Sequence, residues 1–272
     1  MDAFSGALTA VFFACAGVFI GWWSARLPRP WWALGYFFAL ALVIVHTVAD
    51  YVPELSVMPP LSWMMLGRKQ FIAFGFIVAL VLTTPMSRLP RKQDRVALGA
   101  LMALVICIMS IWPFLTPLLD RDELSRLKTE IDANGVCRQG TDYTCGPASA
   151  VTALRKLGFP AEEGHIGIIS STSSGMGTPD DILAESLEKE YGKEGLVAEF
   201  RIFKDIAELK QAGLTLAVIK YGLFVDHYVT VLDVTDKEVI VGDPLMGLRR
   251  ISYEEFSRDW RREGVVLKRN SK

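Results

Sequence analysis

Histidine is scarce in this chain: three in 272 residues, His46, His165 and His227. The four cysteines, Cys15, Cys107, Cys137 and Cys145, include no C-x-x-C pair. Zinc ligands are therefore too few in any one stretch, and no metal or cofactor is expected. A charge excess is lacking too. The formal net charge is −1, which leaves no basic face for nucleic acid. No G-x-x-x-x-G-K-[ST] loop occurs, so no ATP-binding cassette is expected in the chain. The Gly-x-Gly of "STSSGMG" has no strand–loop–helix context for phosphate and reads as a connector or pocket rim. Internal repeats and low-complexity tracts are absent.

Charge is rarest in residues 1–119, which hold eight Lys/Arg and four Asp/Glu. Four apolar runs, 4–23, 31–49, 70–86 and 96–116, each approach the ~20 residues a helix needs to cross a bilayer core. Trp22, Trp23, Trp31, Trp32, Trp63 and Trp112 sit at run ends, as an interfacial belt requires. No basic residue precedes the first run and three spans follow it, which argues against a cleaved signal peptide. The basic loops carrying Arg26 and Arg29, and Arg88, Arg91, Lys92 and Arg95, are expected to be cytoplasmic. Both termini then face outward. Arg68, Lys69, Arg121, Arg126 and Lys128 run against that assignment. His46 and Asp50, one turn apart, read as a solvated helix end. Cys15 and Cys107 read as packed thiols, and Gly6, Gly17 and Gly21 as points of close helix contact. "VPELSVMPPLSWMML" reads as a segment lying along the interface.

Residues 120–272 form the second expected domain, beyond the four-helix membrane domain of 1–119. "PLLDRDELSRLKTEID" reads as a charged helical connector. "PASAVTALRKLG" has helical periodicity, stopped by Gly158 and Pro160. Thr178 reads as an N-cap with Pro179 at the first position of the helix "DDILAESLEKEYG", and "KDIAELKQAG" as a third helix. "LTLAVIKY", "HYVTVLDV", "EVIVGD" and "LRRIS" read as strands. "SYEEFSRDW" is a short helix opened by Ser252, and "GVVLK" a final strand. Helices first and an antiparallel sheet second make the fold α+β.

Three features converge on Cys145. It opens a helix, where unpaired N–H groups and the dipole favour a thiolate. His227 opens one strand and Asp243 closes the next. A hairpin centred near residue 235 pairs 227 with 243, and a shift of one or two residues leaves them diagonal neighbours. A carboxylate beside an imidazole fixes its tautomer and frees the other nitrogen for a thiol. Gln139, six residues before Cys145, could help the Cys145 N–H hold an oxyanion. Cys137 reads as a packed thiol or, alternatively, as a redox partner of Cys145. His165 reads as solvated or at a helix end.

"QGTDYTCGPAS", "DHYVTVLDV" and "VGDPLMGLRRISYEEF" together resemble the papain-like bacteriocin-processing cysteine peptidases, which cut leader peptides after a double glycine. "GTPDDIL" resembles that family's loop into its second helix. The resemblance spans about residues 130–268. It implies a papain-like domain with Cys145 as nucleophile, His227 as base, Asp243 as orienting carboxylate and Gln139 as oxyanion residue. It implies a peptide or protein substrate with small residues at the cut. Thr144 stands where the family usually has Asp. The transporter-fused members carry a cassette that this chain lacks. Combined with the spans, the expectation is a multi-pass protein of a bacterial inner or plasma membrane, embedded in the bilayer, with an extracytoplasmic catalytic domain. The alternatives are an acyl transferase or amidase on the same triad, a non-catalytic peptide-binding sensor, and a scaffold whose membrane half does the work.

Overall fold

A computed structural model describes residues 3–28, 30–51, 69–222 and 225–270. The segment "VPELSVMPPLSWMML", with Trp63, and the basic residues Arg29 and Arg68 lie outside the described residues. The chain divides into two compact units, Met1–Leu118 and Leu119–Lys272.

The first unit holds helices α1 (Ala3–Ser24), α2 (Leu34–Tyr51), α3 (Lys69–Met86) and α4 (Lys92–Ile106). A π-helical turn, Cys107–Ile111, joins α4 to α5 (Trp112–Leu119). Four helices here are long and apolar enough to cross a membrane: Phe4–Ser24, Trp31–Val48, Lys69–Met86 and Lys92–Ser125. Small residues set how closely they pack. A Cβ on Gly17 would lie 2.5 Å from the Phe76 carbonyl oxygen, and one on Gly21 2.9 Å from that of Leu80. Gly6 accommodates the Phe114 ring. Arg26 stacks on Trp22 at 3.3 Å and Arg88 on Trp32 at 4.7 Å. Cys15 and Cys107 are exposed on the outer surface of this unit, not packed as expected. Their neighbours Ala14 and Ile106 take the inward positions of the helical repeat.

The second unit begins with α6 (Arg121–Ser125). The expected connector helix ends there, and the chain instead pairs β1 (Glu130–Ile131) with β2 (Cys137–Arg138). Helix α7 (Cys145–Lys156) follows, buried on every side from Cys145 to Leu154. Its Ala, Ser and Gly residues let neighbours approach closely. It stops at Gly158, whose φ of 81° suits glycine. Next come α8 (Glu163–Ile169) and α9 (Asp180–Tyr191). The sequence reading missed α8, because its Gly and Ile residues read as the start of a loop. Pro179, not Thr178, occupies the N-cap of α9, and the Thr178 hydroxyl bonds that of Thr172 at 2.8 Å.

Strand β3 (Leu196–Ile202) was not foreseen either, and it precedes α10 (Ile206–Ala212). The remaining elements are β4 (Thr215–Gly222), β5 (Val225–Val234), β6 (Glu238–Asp243), β7 (Gly247–Ser252), α11 (Tyr253–Asp259) and β8 (Trp260–Arg269). Ser252 caps α11 by accepting from the Glu255 N–H. Six strands form one antiparallel sheet in the order β3-β8-β4-β5-β6-β7.

Alternation along β5 sends Tyr228 toward α7 and α9, and Val229 and Val231 into a second cluster with Phe256 and Trp260. The Thr230 hydroxyl donates to the Ser149 carbonyl at 2.8 Å and fixes α7 across the sheet. Helix α6 lies tight on α8: a Cβ on Gly164 would sit 2.1 Å from the Leu124 carbonyl oxygen. Backbone cannot yield as a flexible side chain does. Gly164→Ala should therefore destabilise the chain by about 1–3 kcal/mol, read as a lowered thermal unfolding midpoint. An unchanged midpoint would mean α6 is free to move away.

Candidate active site

Cys145 is the first residue of α7 and is 8% exposed. Gly146 must follow it, because a Cβ there would meet the Thr178 side chain at 2.7 Å. The Tyr228 hydroxyl donates to Asp180 and lies 3.3 Å from the Thr178 carbonyl, tying this segment to β5. Burial, together with Glu263, Asp181 and Asp226 nearby, raises the Asp180 pKa.

His227 lies one residue before Tyr228 on β5 and is 4% exposed. Its Nε2 bonds Asp243 Oδ1 at 2.9 Å. That leaves Nδ1 as the nitrogen not engaged by Asp243, and the Cys145 thiol is near enough to the same imidazole to raise its pKa. The β5–β6 register pairs Thr230 with Gly242, so one step further sets Asp243 opposite Val229. The direct pairing expected for His227 and Asp243 is thus displaced by two residues. A bulge between Val231 and Asp233 and the Thr235–Glu238 turn move the hairpin centre. The two side chains meet as diagonal neighbours on one face.

Asp243 is held more firmly than the sequence suggested. Oδ1 also accepts the N–H groups of Leu245 (2.8 Å) and Met246 (3.2 Å), and Oδ2 pairs with Arg249 at 3.2 Å. Arg249 went unnoticed in the sequence, where one arginine in "LRRIS" looks like another. Only the register of β6 with β7 singles it out. Burial disfavours the His227 cation, but the bond to Asp243 and then the nearby Cys145 thiol outweigh it, and the pKa rises to about 9. Burial likewise pushes Asp243 up, but His227 and the two backbone donors prevail and hold it at about 2.

Gln139 sits on the loop leading into α7. Its backbone N–H donates to the Pro244 carbonyl at 3.2 Å, one residue past Asp243. Its Nε2 donates to the Thr141 carbonyl at 2.6 Å, while Oε1 is buried without a partner among the described residues. The loop itself is braced. The Thr144 hydroxyl accepts the Thr141 N–H at 3.1 Å, and Gly140 N–H donates to Glu163 at 2.8 Å. The Tyr143 hydroxyl donates to Glu123 of α6 at 2.8 Å.

Cys137 is fully buried, and its N–H donates to Thr152, two turns along α7 from Cys145. Both thiols are free. Burial and then Glu163 push the Cys137 thiol up to about 12, the state of a packed group. His165 pairs with Glu190 at 2.9 Å on the surface. Among the described residues no cluster of His, Cys, Asp or Glu could hold a metal.

A helix-borne thiol, a strand-borne imidazole and a buried carboxylate on an α+β scaffold define a papain-like cysteine peptidase fold. The family model described as "Peptidase C39 family" matches residues 134–272, and the chain belongs to that family. An uncharacterized protein of Methanothermobacter marburgensis is 28% identical over 147 residues, covering 54% of this chain and 97% of its own length. The "Probable functional amyloid protease FapD" of Pseudomonas aeruginosa is 26% identical over 133 residues, 47% of this chain and 57% of that protein. Among solved structures, the peptidase domain of Streptococcus ComA, a bifunctional ABC transporter of quorum sensing, is 20% identical with a TM-score of 0.44. That match covers 53% of this chain and 98% of that one. A double glycine motif protease of an AMS/PCAT transporter, solved with a leader peptide, is 20% identical with a TM-score of 0.42. It covers 54% and 96% of the two chains.

The two shifted pKa values act in opposite pH windows. Asp243 contributes stability that is present above the ordinary carboxylate pKa and lost as pH falls toward 2. His227 contributes stability that is complete below the ordinary imidazole pKa and lost as pH rises through about 9. Asp243→Asn should therefore lower the His227 pKa in an NMR titration, and Asp243→Ala should cost about 3–5 kcal/mol by stranding a buried cation. A His227 titration unmoved by Asp243→Asn would show that the carboxylate does not set its charge.

Proposed function

We propose that this chain is a membrane-anchored cysteine peptidase that hydrolyses peptide bonds after small residues, a double glycine foremost. One observation carries the reading: the His227 ring bonds the buried Asp243 carboxylate at 2.9 Å and lies near enough to the Cys145 thiol for the sulfur to raise its pKa.

The chemistry follows from that arrangement. His227 takes the thiol proton, and the sulfur attacks the scissile carbonyl carbon. The tetrahedral oxyanion is held by the Cys145 N–H at the start of α7 and by Gln139, whose Nε2 has a second hydrogen beyond the one given to Thr141. The C–N bond breaks as the His227 imidazolium protonates the leaving amine, leaving a thioester. Water, deprotonated by His227, attacks the thioester, and the acid product departs with Cys145 restored. Asp243 keeps the ring oriented and its cation stable throughout.

The four apolar helices of the first unit would hold this domain at a bilayer, with the catalytic unit outside the cytoplasm. Tethering raises the effective concentration of substrates that emerge from or reside in the same membrane.

Purified protein treated with iodoacetamide should alkylate at Cys145, identified by peptide mass spectrometry, and His227→Ala should slow this at least tenfold at pH 7. Cys145→Ala should abolish cleavage of an N-acyl-Gly-Gly fluorogenic amide. Labelling indifferent to His227 would remove the triad, and acyl transfer to added amine with no hydrolysis would make the protein a transferase. A C-terminal alkaline phosphatase fusion should be active and a green fluorescent protein fusion dark. The reverse pattern would place the peptidase in the cytoplasm.

A further inference from the structure

Glu163 is a carboxylate with no surface exposure, at the start of α8. The triad does not use it. One oxygen, Oε1, accepts the Gly140 N–H at 2.8 Å. The Thr144 hydroxyl, itself bonded to Thr141, lies near enough to the same carboxylate to lower its pKa. The other oxygen, Oε2, is buried and has no protein partner among the described residues. Gly140 can follow the loop only without a side chain, because a Cβ would meet Leu127 at 2.9 Å and Glu163 Oε2 at 3.4 Å.

The two contacts fall at telling places. The Gly140 N–H belongs to the peptide bond that follows Gln139. Thr144 immediately precedes Cys145. The two groups that would hold the oxyanion, the Gln139 amide and the Cys145 N–H, hang from the backbone just beside the point that Glu163 bonds, Gly140, and the one it neighbours, Thr144. A buried carboxylate is costly to keep, and burial does raise its pKa, opposed by the Gly140 bond and by Thr144. An amide or an apolar residue would fill the same space more cheaply. Retention of a charge-assisted acceptor there suits a site where loop position must be exact.

Glu163 is in turn located from outside the family match, which begins at residue 134. The Thr129 hydroxyl accepts the Glu163 N–H at 2.8 Å, and the Leu124 carbonyl abuts Gly164. The segment entering the domain thus reaches the loop through Glu163 as well as through the Tyr143–Glu123 bond.

We propose that Glu163 is a positioning residue of the peptidase, which sets the Gln139–Thr144 loop so that the oxyanion donors converge beside Cys145. This rests on the triad reading above, and two probes separate the two. Alkylation of Cys145 by iodoacetamide is a displacement at saturated carbon and needs no oxyanion site. Acylation by p-nitrophenyl acetate passes through a tetrahedral oxyanion: the sulfur–acetyl bond forms, the ester bond breaks and p-nitrophenolate leaves. Both rates are measured on the full chain after subtracting Cys145→Ala. Glu163→Ala should slow acylation by about tenfold to a hundredfold, the scale of a misplaced oxyanion donor, while alkylation stays within about twofold of wild type. Glu163→Gln keeps an acceptor for Gly140 and should restore acylation to within about threefold. Glu163→Asp keeps the charge but draws the acceptor back from the Gly140 N–H and should give a smaller drop in acylation alone, which tests the idea even if Glu163→Ala does not fold.

Acylation unchanged in Glu163→Ala, parallel loss of both rates in every variant, or failure of the glutamine to restore acylation would overturn the assignment. Failure of the triad itself would look different, as wild-type alkylation that ignores His227→Ala.

Discussion

The contact on which the molecule depends is the imidazole of His227, held between a thiol and a carboxylate in a place that water scarcely reaches. Alone, burial would strip that ring of its charge. With Asp243 bonded to Nε2, and Asp243 itself steadied by Leu245, Met246 and Arg249, the cation becomes the favoured form. Low local dielectric makes each of these bonds stronger and each missing partner more costly. The arrangement is a network with no redundant member.

Much of the second unit can be understood as the frame for that network. Helix α7 must begin at Cys145 and lie close on the sheet, so its flanks are Gly, Ala and Ser, and Thr230 reaches across to Ser149. The hairpin β5–β6 must deliver an imidazole and a carboxylate to the same face, so its bulge and turn are as much part of the site as the side chains. Glu163, Tyr143 and Thr144 brace the loop before the nucleophile, and α6 and Thr129 brace Glu163 and Tyr143 in turn. The segment leading into the domain is therefore built into the support of its chemistry.

The first unit is built from apolar helices. Gly6, Gly17 and Gly21 were legible as contact points because small residues in apolar helices have few other uses. The expectation for Cys15 and Cys107 failed because an apolar run offers no polar face to betray which side points inward. A cysteine on such a run reads the same in a packed seam as on the outer surface.

The chain's own order of residues determined the two-part division of composition, the four apolar helices, the strands β4 to β7, and the spacing that singled out Gln139, Cys145, His227 and Asp243. Each of these signals is local: hydropathy runs, alternation, and fixed offsets across a hairpin. Strand β3, helix α8, the two-residue shift of the hairpin and the contacts of Arg249 and Glu163 came only with tertiary structure. A buried glutamate and an exposed one are spelled alike, and an arginine's partner lies on another strand. Which groups lose water, and which charge they then face, is decided by packing among segments distant in sequence. No window along the chain contains that information.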